Sequence, residues 1–445
     1  MIEILRHPDY ARLFAAQIIA LIGTGLLTVG LGLLAYELAG DRAGAVLGSV
    51  FAIKMIAYVG LAPVAHALAG RWPRKRVLVG ADMVRAAVAL TLPFVDSVWQ
   101  IYGLIFVLQA ASATFTPAFQ AVIPDILTDE RDYTRALSLS RLAYDLENLL
   151  SPALAGVLLV FISYHGLFAG TVAGFIGSAL LVLFATVPAS AATAQARPFL
   201  DRLTRGIRIY VATPRLRGLF LLNLTAAAAG AFVLVNTVVV VRGNYGLGDA
   251  QVAVALAAFG AGSMLAALLL PQLLERFADR RVMVAAAVLL AGLTLAHAAY
   301  QMITGLPAWS GFLLIWALSG IFYSAILTPS GRLLRHSAHP DDRPALFAAQ
   351  FTLSHLGWLA TYPIAGWAGS VLGLPEAMAI LGAIALAGLV LAVLAWPADD
   401  ARVLEHEHRD LPPEHPHLRA HPAPGARHRH VFVIDDEHRA WPTQG

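Results

Sequence analysis

The chain has 445 residues, 58% of them hydrophobic and only 13% charged, whereas a soluble globular domain carries about a quarter charged residues. Cysteine is absent, which excludes disulfides and thiolate metal sites. A formal charge of +3 says little about partners; no nucleic-acid partner is expected, and the placement of the charges matters more than their sum.

Met1–Arg12 is polar, no small-residue cleavage site follows the first apolar run, and that run is too long for a signal-peptide core. It reads as a first membrane span. Apolar runs long enough for a hydrocarbon core of about 30 Å recur near 13–38, 43–69, 77–96, 99–124, 134–161, 164–187, 216–242, 249–274, 281–304, 308–334, 345–371 and 374–397. The predicted fold is therefore an all-α membrane protein of twelve transmembrane helices. The odd-to-even connections are very short and carry only Arg42 and Arg242. The other side carries Arg71, Arg74, Lys75 and Arg76, the arginines of 197–217, and Arg276, Arg280 and Arg281. Lys/Arg bias sets orientation, so this side, with both termini, is expected in the cytoplasm and the chain in a bacterial inner membrane.

The longest internal connection, Pro188–Pro214, holds Phe199, Leu203, Ile207 and Tyr210 at helical spacing with arginines between them. That pattern is an interfacial amphipathic helix. It separates a six-helix bundle over 1–187 from a second over 216–397, with 188–215 as linker and 398–445 as a largely disordered tail. The halves repeat one another. TP recurs at Thr116–Pro117 and Thr328–Pro329, an acidic-acidic-Arg triplet at Asp129–Arg131 and Asp341–Arg343, and SPALAG at Ser151–Gly156 is answered by YPIAG at Tyr362–Gly366. LAGRWPRKRVL at Leu68–Leu78 is answered by LLERFADRRVM at Leu273–Met283. Two repeated bundles are the plan of many transporters. There is no G-x-x-x-x-G-K-[ST] sequence to bind ATP, so the expected transport is secondary.

LAGRWPRKRVL resembles the loop after the second helix in the major facilitator superfamily, with Gly70 where that family usually has Asp. Arg71, Arg74 and Lys75 match its basic cluster, and Glu275 and Arg276 stand at the corresponding place in the second half. The resemblance implies a gating role for these five residues. SPALAG resembles the Gly-Pro motif in the fifth helix of the superfamily's exporters. RLAYDLENLLSPALAG (Arg141–Gly156) and the tail ending HRHVFVIDDEHRAWP (His428–Pro442) are together similar to bacterial nickel-resistance permeases. That resemblance implies export of Ni²⁺, with Co²⁺ as a second cargo, by a chain functional as a monomer and needing no cofactor.

Three groups of residues could carry the chemistry. The tail holds His406, His408, His415, His417, His421, His428, His430 and His438, with acidic neighbours. Imidazole and carboxylate without sulfur suit Ni²⁺, Co²⁺, Cu²⁺ and Zn²⁺, although a proline-rich polar tail could equally be only solvated. The apolar stretch Val431–Ile434 suggests that the end docks on the cytoplasmic face. The fifth span carries Arg141, Asp145 and Glu147. An ionisable residue in a span costs roughly 2.5–3.5 kcal/mol, so these should face water, a partner or a substrate. Asp145 and Glu147 would form a cation and proton site; alternatively Arg141 and Asp145 form an ion pair that staples helices. His355 in the eleventh span aligns with Tyr144 in the repeat and is expected to face the same cavity from the other half, as a metal ligand or as a hydrogen-bonded packing residue. Lys54 in the second span would neutralise a carboxylate or pair structurally. Export of an organic drug, siderophore or metabolite is the alternative, with Tyr58, Phe115, Phe322, Tyr323, Trp316 and Trp358 as candidate lining.

Overall fold

The computed structural model describes residues 2–61, 73–127, 154–187, 199–339, 342–399, 403–407 and 427–435, with residues 129, 132, 136, 139, 140, 143, 437, 438 and 440–442. Most of the fifth span falls outside these. Every other expected span is helical. They run Pro8–Ala39, Ala43–Leu61, Arg74–Phe94, Val98–Ile126, Tyr164–Phe184, Pro214–Asn244, Asp249–Arg276, Asp279–Thr304, Trp309–His336, Arg343–Val371 and Leu374–Ala395. The tenth departs from expectation: it breaks between Leu327 and Ser330. Pro329 lacks an N–H and crowds the preceding turn. The equivalent Pro117 leaves Val98–Ile126 continuous.

Side chains that face outward are apolar. Leu90, Trp99, Leu268, Val288, Leu314 and Leu391 are all largely exposed, as a bilayer-facing surface requires. The short connections turn on glycine: Gly40 after the first span and Gly373 before the twelfth lie at φ +55° and +114°, a region costly for any residue with a Cβ.

The repeat is visible in the packing. The first span packs on the sixth as the seventh packs on the twelfth, and the third on the sixth as the ninth on the twelfth. It is visible in the basic loops too. Lys75 Nζ donates to the Ala185 carbonyl at 3.0 Å, at the C-terminus of the sixth span. Arg280 Nε donates to the Trp396 carbonyl at 2.8 Å, at the C-terminus of the twelfth. Both cations satisfy orphan carbonyls at the negative end of a helix dipole.

Among the described residues the two halves meet most closely where the second span crosses the eleventh. A Cβ on Gly48 would stand 2.5 Å from the Tyr362 carbonyl oxygen, and one on Gly366 would meet the backbone of Gly44 and Ala45. Asn236 of the seventh span closes the same corner, donating from Nδ2 to the Ala365 carbonyl at 3.0 Å. Small residues let helix backbones approach where lipid supplies no hydrophobic drive. Nearby, Gly156 of the fifth span lies against Ala253 of the eighth. All these contacts lie at the short-loop end. There Arg242 also stacks over the Tyr36 ring of the other half at 5.1 Å and pairs with Asp249. The bundle is thus sealed at the short-loop end.

The linker helix, Phe199–Ala212, belongs to the second half. Arg205 holds Asp342 at the start of the eleventh span, with Nη2 to Oδ2 at 3.0 Å. Gly206 lies directly against the Ala345 backbone.

Overpacking a close contact costs about 1–3 kcal/mol, equivalent to a shift of roughly 5- to 150-fold in the population of the sealed state. Gly48→Leu and Gly366→Leu are expected to reach the membrane in normal amounts and to lose transport by about that factor. Gly48→Ala should lose less. Transport and membrane abundance measured on the same vesicles check this.

Candidate functional site

Between the halves, on the basic side of the second–eleventh crossing, lies a ladder of aromatic rings. Phe51 faces Tyr362 with ring centroids 4.9 Å apart, and Tyr58 faces Phe351 at 6.1 Å and His355 at 5.6 Å. Trp358 stacks against Tyr362 at 4.9 Å and approaches Tyr323 at 6.2 Å. Phe51 and Tyr58 come from the second span, the others from the tenth and eleventh. The second span changes to π-helix at Ala57–Leu61, at Tyr58; such local widening is frequent at functional sites.

His355 meets Tyr58 of the other half. Its Nδ1 lies 2.6 Å from the Phe351 carbonyl oxygen. A ring N–H donated there leaves Nε2 as an acceptor. The ring also packs 4.1 Å from Phe351, so its immediate surroundings are aromatic. Lys54 lies 5.6 Å over the Tyr58 ring, the tyrosine that touches His355. Among the described residues no carboxylate pairs with Lys54. Arg141, Asp145 and Glu147 lie outside the described residues, as do Arg71, His408, His415, His417 and His421. The described part of the fifth span packs on the first: Ser140 Oγ donates to Gln17 Oε1 at 3.0 Å.

Other candidates take up packing roles. His297 exchanges a 2.8 Å hydrogen bond with Gln301 one turn along and meets the edge of Trp316. Trp316 itself donates to Thr237 Oγ1 at 2.9 Å and is buried in the second bundle. Glu275 and Arg276 are exposed. The loop carboxylate that pairs in the second half is Asp279, with Arg332 Nε at 3.2 Å.

One ionisable pair in the membrane escaped the sequence reading. Asp82 and Arg85, one turn apart in the third span, are both buried and bonded to each other. Ser178 of the sixth span donates to Asp82 Oδ2 at 2.7 Å. The Arg85 guanidinium sits between the rings of Phe115 and Phe175, at 4.3 and 4.5 Å. Paired, hydrogen-bonded and flanked by ring faces, the charges fasten the third, fourth and sixth spans together. Asp-x-x-Arg at helical spacing inside an apolar run was the available signal.

The second cluster is in the tail. Val403–Glu407 and Arg427–Val431 form two antiparallel strands, β1 and β2, pairing His406 with His428 and Leu404 with His430. The sequence reading expected a largely disordered tail; these stretches are strands instead. Side chains alternate along a strand, so Leu404, His406, His428 and His430 share one face. Glu405 opposes Arg429 on the other face, a favourable cross-strand charge match. After β2, Phe432 and Ile434 are buried in one cluster with Tyr210 of the linker helix, Leu334 near the end of the tenth span and Trp396 after the twelfth. The chain then turns at Asp435, whose Oδ1 accepts the backbone N–H of Glu437 and His438 at 2.9 and 2.7 Å. This brings His438 back to His406, with Nε2 atoms 2.9 Å apart. One ring nitrogen each of His406, His430 and His438 lies within 4.8 Å of the others.

Burial is the main force pushing the His406 imidazole down to about 4, helped by its neighbours His438, His430 and His428 and opposed by the Leu404 carbonyl. Burial works against charge on Asp435, but hydrogen bonds from His438 and His339 outweigh it and hold the carboxyl well below its usual range. At neutral pH the cluster thus combines a neutral imidazole with a carboxylate.

The sequence matches the profile of the Major Facilitator Superfamily twice, over residues 13–241 and 219–433. Among characterised collections of relatives, it is 26% identical over 371 residues to YfiS, an uncharacterised MFS-type transporter of Bacillus subtilis, covering 80% of this chain and 87% of that one. It is 24% identical over 332 residues to macrolide efflux protein A of Streptococcus pyogenes, covering 71% and 79%. Its backbone resembles the nucleoside transporter NupG, with TM-score 0.63 and 14% identity over 87% of this chain and 99% of that one. It also resembles a bacterial homologue of the lysosomal transporter Spinster in an inward-facing, unoccupied conformation, with TM-score 0.64 and 14% identity over 87% and 94%.

Asp82→Asn should leave Arg85 buried beside a neutral partner. Breaking a buried pair on one side costs about 3–5 kcal/mol, so this variant is expected to lower the melting temperature in detergent and the amount in the membrane. Asp82→Asn with Arg85→Met should recover both. Recovery of stability together with transport would mark the pair as structural.

Proposed function

The chain belongs to the Major Facilitator Superfamily and is a multi-pass membrane transporter, and on that premise we propose that it exports divalent transition-metal ions in exchange for protons. On this reading Ni²⁺ is the principal cargo and Co²⁺ the second. The observation that carries the proposal is the histidine cluster of the tail, which has the donor set of borderline divalent metals and stands beside the basic end of the bundle. Lys/Arg bias assigns that end to the cytoplasm of a bacterial inner membrane, the compartment from which cargo for export is drawn.

Within the bundle the cargo site joins Asp145 and Glu147 of the fifth span to His355 of the eleventh. Carboxylates alone hold hard ions such as Mg²⁺ as readily; an imidazole shifts preference toward Ni²⁺, Co²⁺ and Zn²⁺. A ligand on each half lets the rocking of the halves change the coordination. Protons compete with metal at all three groups, which couples their opposite movements. The membrane potential opposes outward movement of a dication by about 2.3 kcal/mol per charge per 100 mV, so inward protons supply the drive. Lys54, without a carboxylate partner among the described residues, would balance the fifth-span carboxylates when cargo has left. The same assignment makes the protein functional as a monomer, with the gating loop residues Arg71, Arg74, Lys75, Glu275 and Arg276 on the cytoplasmic side.

Two observations favour a second reading, export of an organic compound. One is the aromatic ladder of Phe51, Tyr58, Phe351, Trp358 and Tyr362 between the halves. The other is the similarity to macrolide efflux proteins. Rings around a cavity suit an apolar cargo, whereas a metal path needs few of them.

Cells that lack their own efflux systems and express this chain are expected to tolerate more Ni²⁺ and Co²⁺, with no gain in macrolide tolerance. Asp145→Asn, Glu147→Gln, His355→Ala and His355→Gln should each remove most of the gain with protein still in the membrane. Tolerance of a macrolide, with Ni²⁺ tolerance unchanged, would transfer the assignment to the organic reading. Restored activity in a double neutral variant of Arg141 and Asp145 would make that pair structural.

A further inference from the structure

The tail cluster has features that a loose chelating tail does not need. Each of its three histidines has its Nδ1 on an acceptor: His406 on the Leu404 carbonyl at 3.3 Å, His430 on the Val431 carbonyl at 2.8 Å, and His438 on Asp435 Oδ1 at 2.8 Å. An imidazole whose Nδ1–H is donated presents Nε2 as a lone pair. Three rings from three places in the sequence therefore carry the same tautomer. The His406 and His438 Nε2 atoms, 2.9 Å apart, then point lone pair at lone pair, an arrangement that a proton or a cation between them relieves. Four-coordinate metal at about 2.0–2.1 Å from nitrogen separates its ligands by about 3.3 Å; the His406–His438 pair stands at 2.9 Å and a ring nitrogen of His430 lies within 4.8 Å of both. A carboxylate on the far nitrogen of a ligating histidine is the usual outer support of such sites.

Asp435 does more than orient His438. Its Oδ2 lies 3.2 Å from Nε2 of His339, in the connection between the tenth and eleventh spans. Three residues further on, Asp342 holds Arg205 of the linker helix. On the same surface Arg215, which opens the seventh span, lies 5.2 Å over the Trp441 ring. A ligand set drawn from β1, β2 and the turn after Asp435 closes a long loop of chain on itself. It does so where that chain is seated on the linker helix and on the ends of the tenth and twelfth spans.

We propose that His406, His430 and His438 form a three-histidine site for one borderline divalent cation, of the Co²⁺, Ni²⁺ or Zn²⁺ class, and that occupancy latches the tail onto the linker helix and the second bundle. The fourth position is open to water. The site is separate from the transport path and holds its ion rather than passing it on. It acts on the linker, the covalent connection through which the two halves are joined. The inference does not depend on the cargo being a metal: the latch can serve an exporter of any compound.

The full-length protein in detergent, stripped of metal with a chelator, is titrated with Co²⁺ and then digested with trypsin, which has Arg427 and Arg429 as targets in β2. The expected result is one tight equivalent with the intense visible bands of four-coordinate Co²⁺, and at least tenfold slower cleavage in the tail. His430→Ala and His438→Ala should each abolish bands and protection. Replacing His408, His415, His417 and His421 together by alanine should leave both. Asp435→Asn should weaken Co²⁺ by about 10- to 100-fold, the usual effect of losing such a support. His339→Ala should keep the bands and lose much of the protection. Co²⁺ binding indifferent to His430 and His438 would overturn the site. Binding with no change in cleavage would overturn the latch. Neither result bears on whether vesicles carry Ni²⁺, so failure here and failure of the export assignment are read separately.

Discussion

The contact on which this architecture turns is the crossing of the second and eleventh spans. In a bilayer, apolar surface gains nothing by leaving lipid for another helix, so the halves must be held by close backbone packing and hydrogen bonds. Gly44, Gly48 and Gly366 remove the side chains that would keep the helices apart, and Asn236 donates to the Ala365 carbonyl beside them. The Arg242–Tyr36 stack and the Gly156–Ala253 approach seal the same end. Each is small and local. A few such contacts can be made and broken as the halves rock, which a broad greasy interface would resist. The aromatic ladder with His355 and Lys54 begins about one turn further along the same two helices, so movement of the crossing is transmitted directly to these rings.

The bundle was largely legible from sequence because the membrane imposes length and hydropathy on every span, and because two repeats offered each reading twice. The matched basic loops show how far this goes: Lys75 and Arg280, aligned by the repeat, cap equivalent helix ends. Side-chain partnership was less legible. Glu275 looked like the loop carboxylate, yet Asp279 faces Arg332. Hydropathy alone does not say which of two neighbouring acids points inward. Asp82 and Arg85 were hidden because they neutralise one another within an otherwise apolar run. The break at Thr328–Pro329 was equally hidden, since its counterpart at Pro117 does not break.

In the tail, two described stretches depart from the expectation of disorder. Composition read as disorder because prolines and charges dominate an averaged view. Alternation told otherwise: V-L-E-H-E and R-H-R-H-V put histidines on one face and complementary charges on the other when paired antiparallel. The apolar Phe432–Ile434 then anchors the pair against the linker helix, burial of each large side chain contributing about 1.5–3 kcal/mol. The strands flank the proline-rich stretch, which lies outside the described residues. The outcome is a histidine cluster held in place at the basic end of a transporter, on the half that carries His355.

Flux of Ni²⁺ in everted membrane vesicles tests the central assignment most directly. With the basic face outward and an acid interior imposed, the account predicts Ni²⁺ accumulation that a protonophore abolishes and that His355→Ala removes. Proton-driven accumulation of a macrolide in the same vesicles, with no accumulation of Ni²⁺, would contradict it.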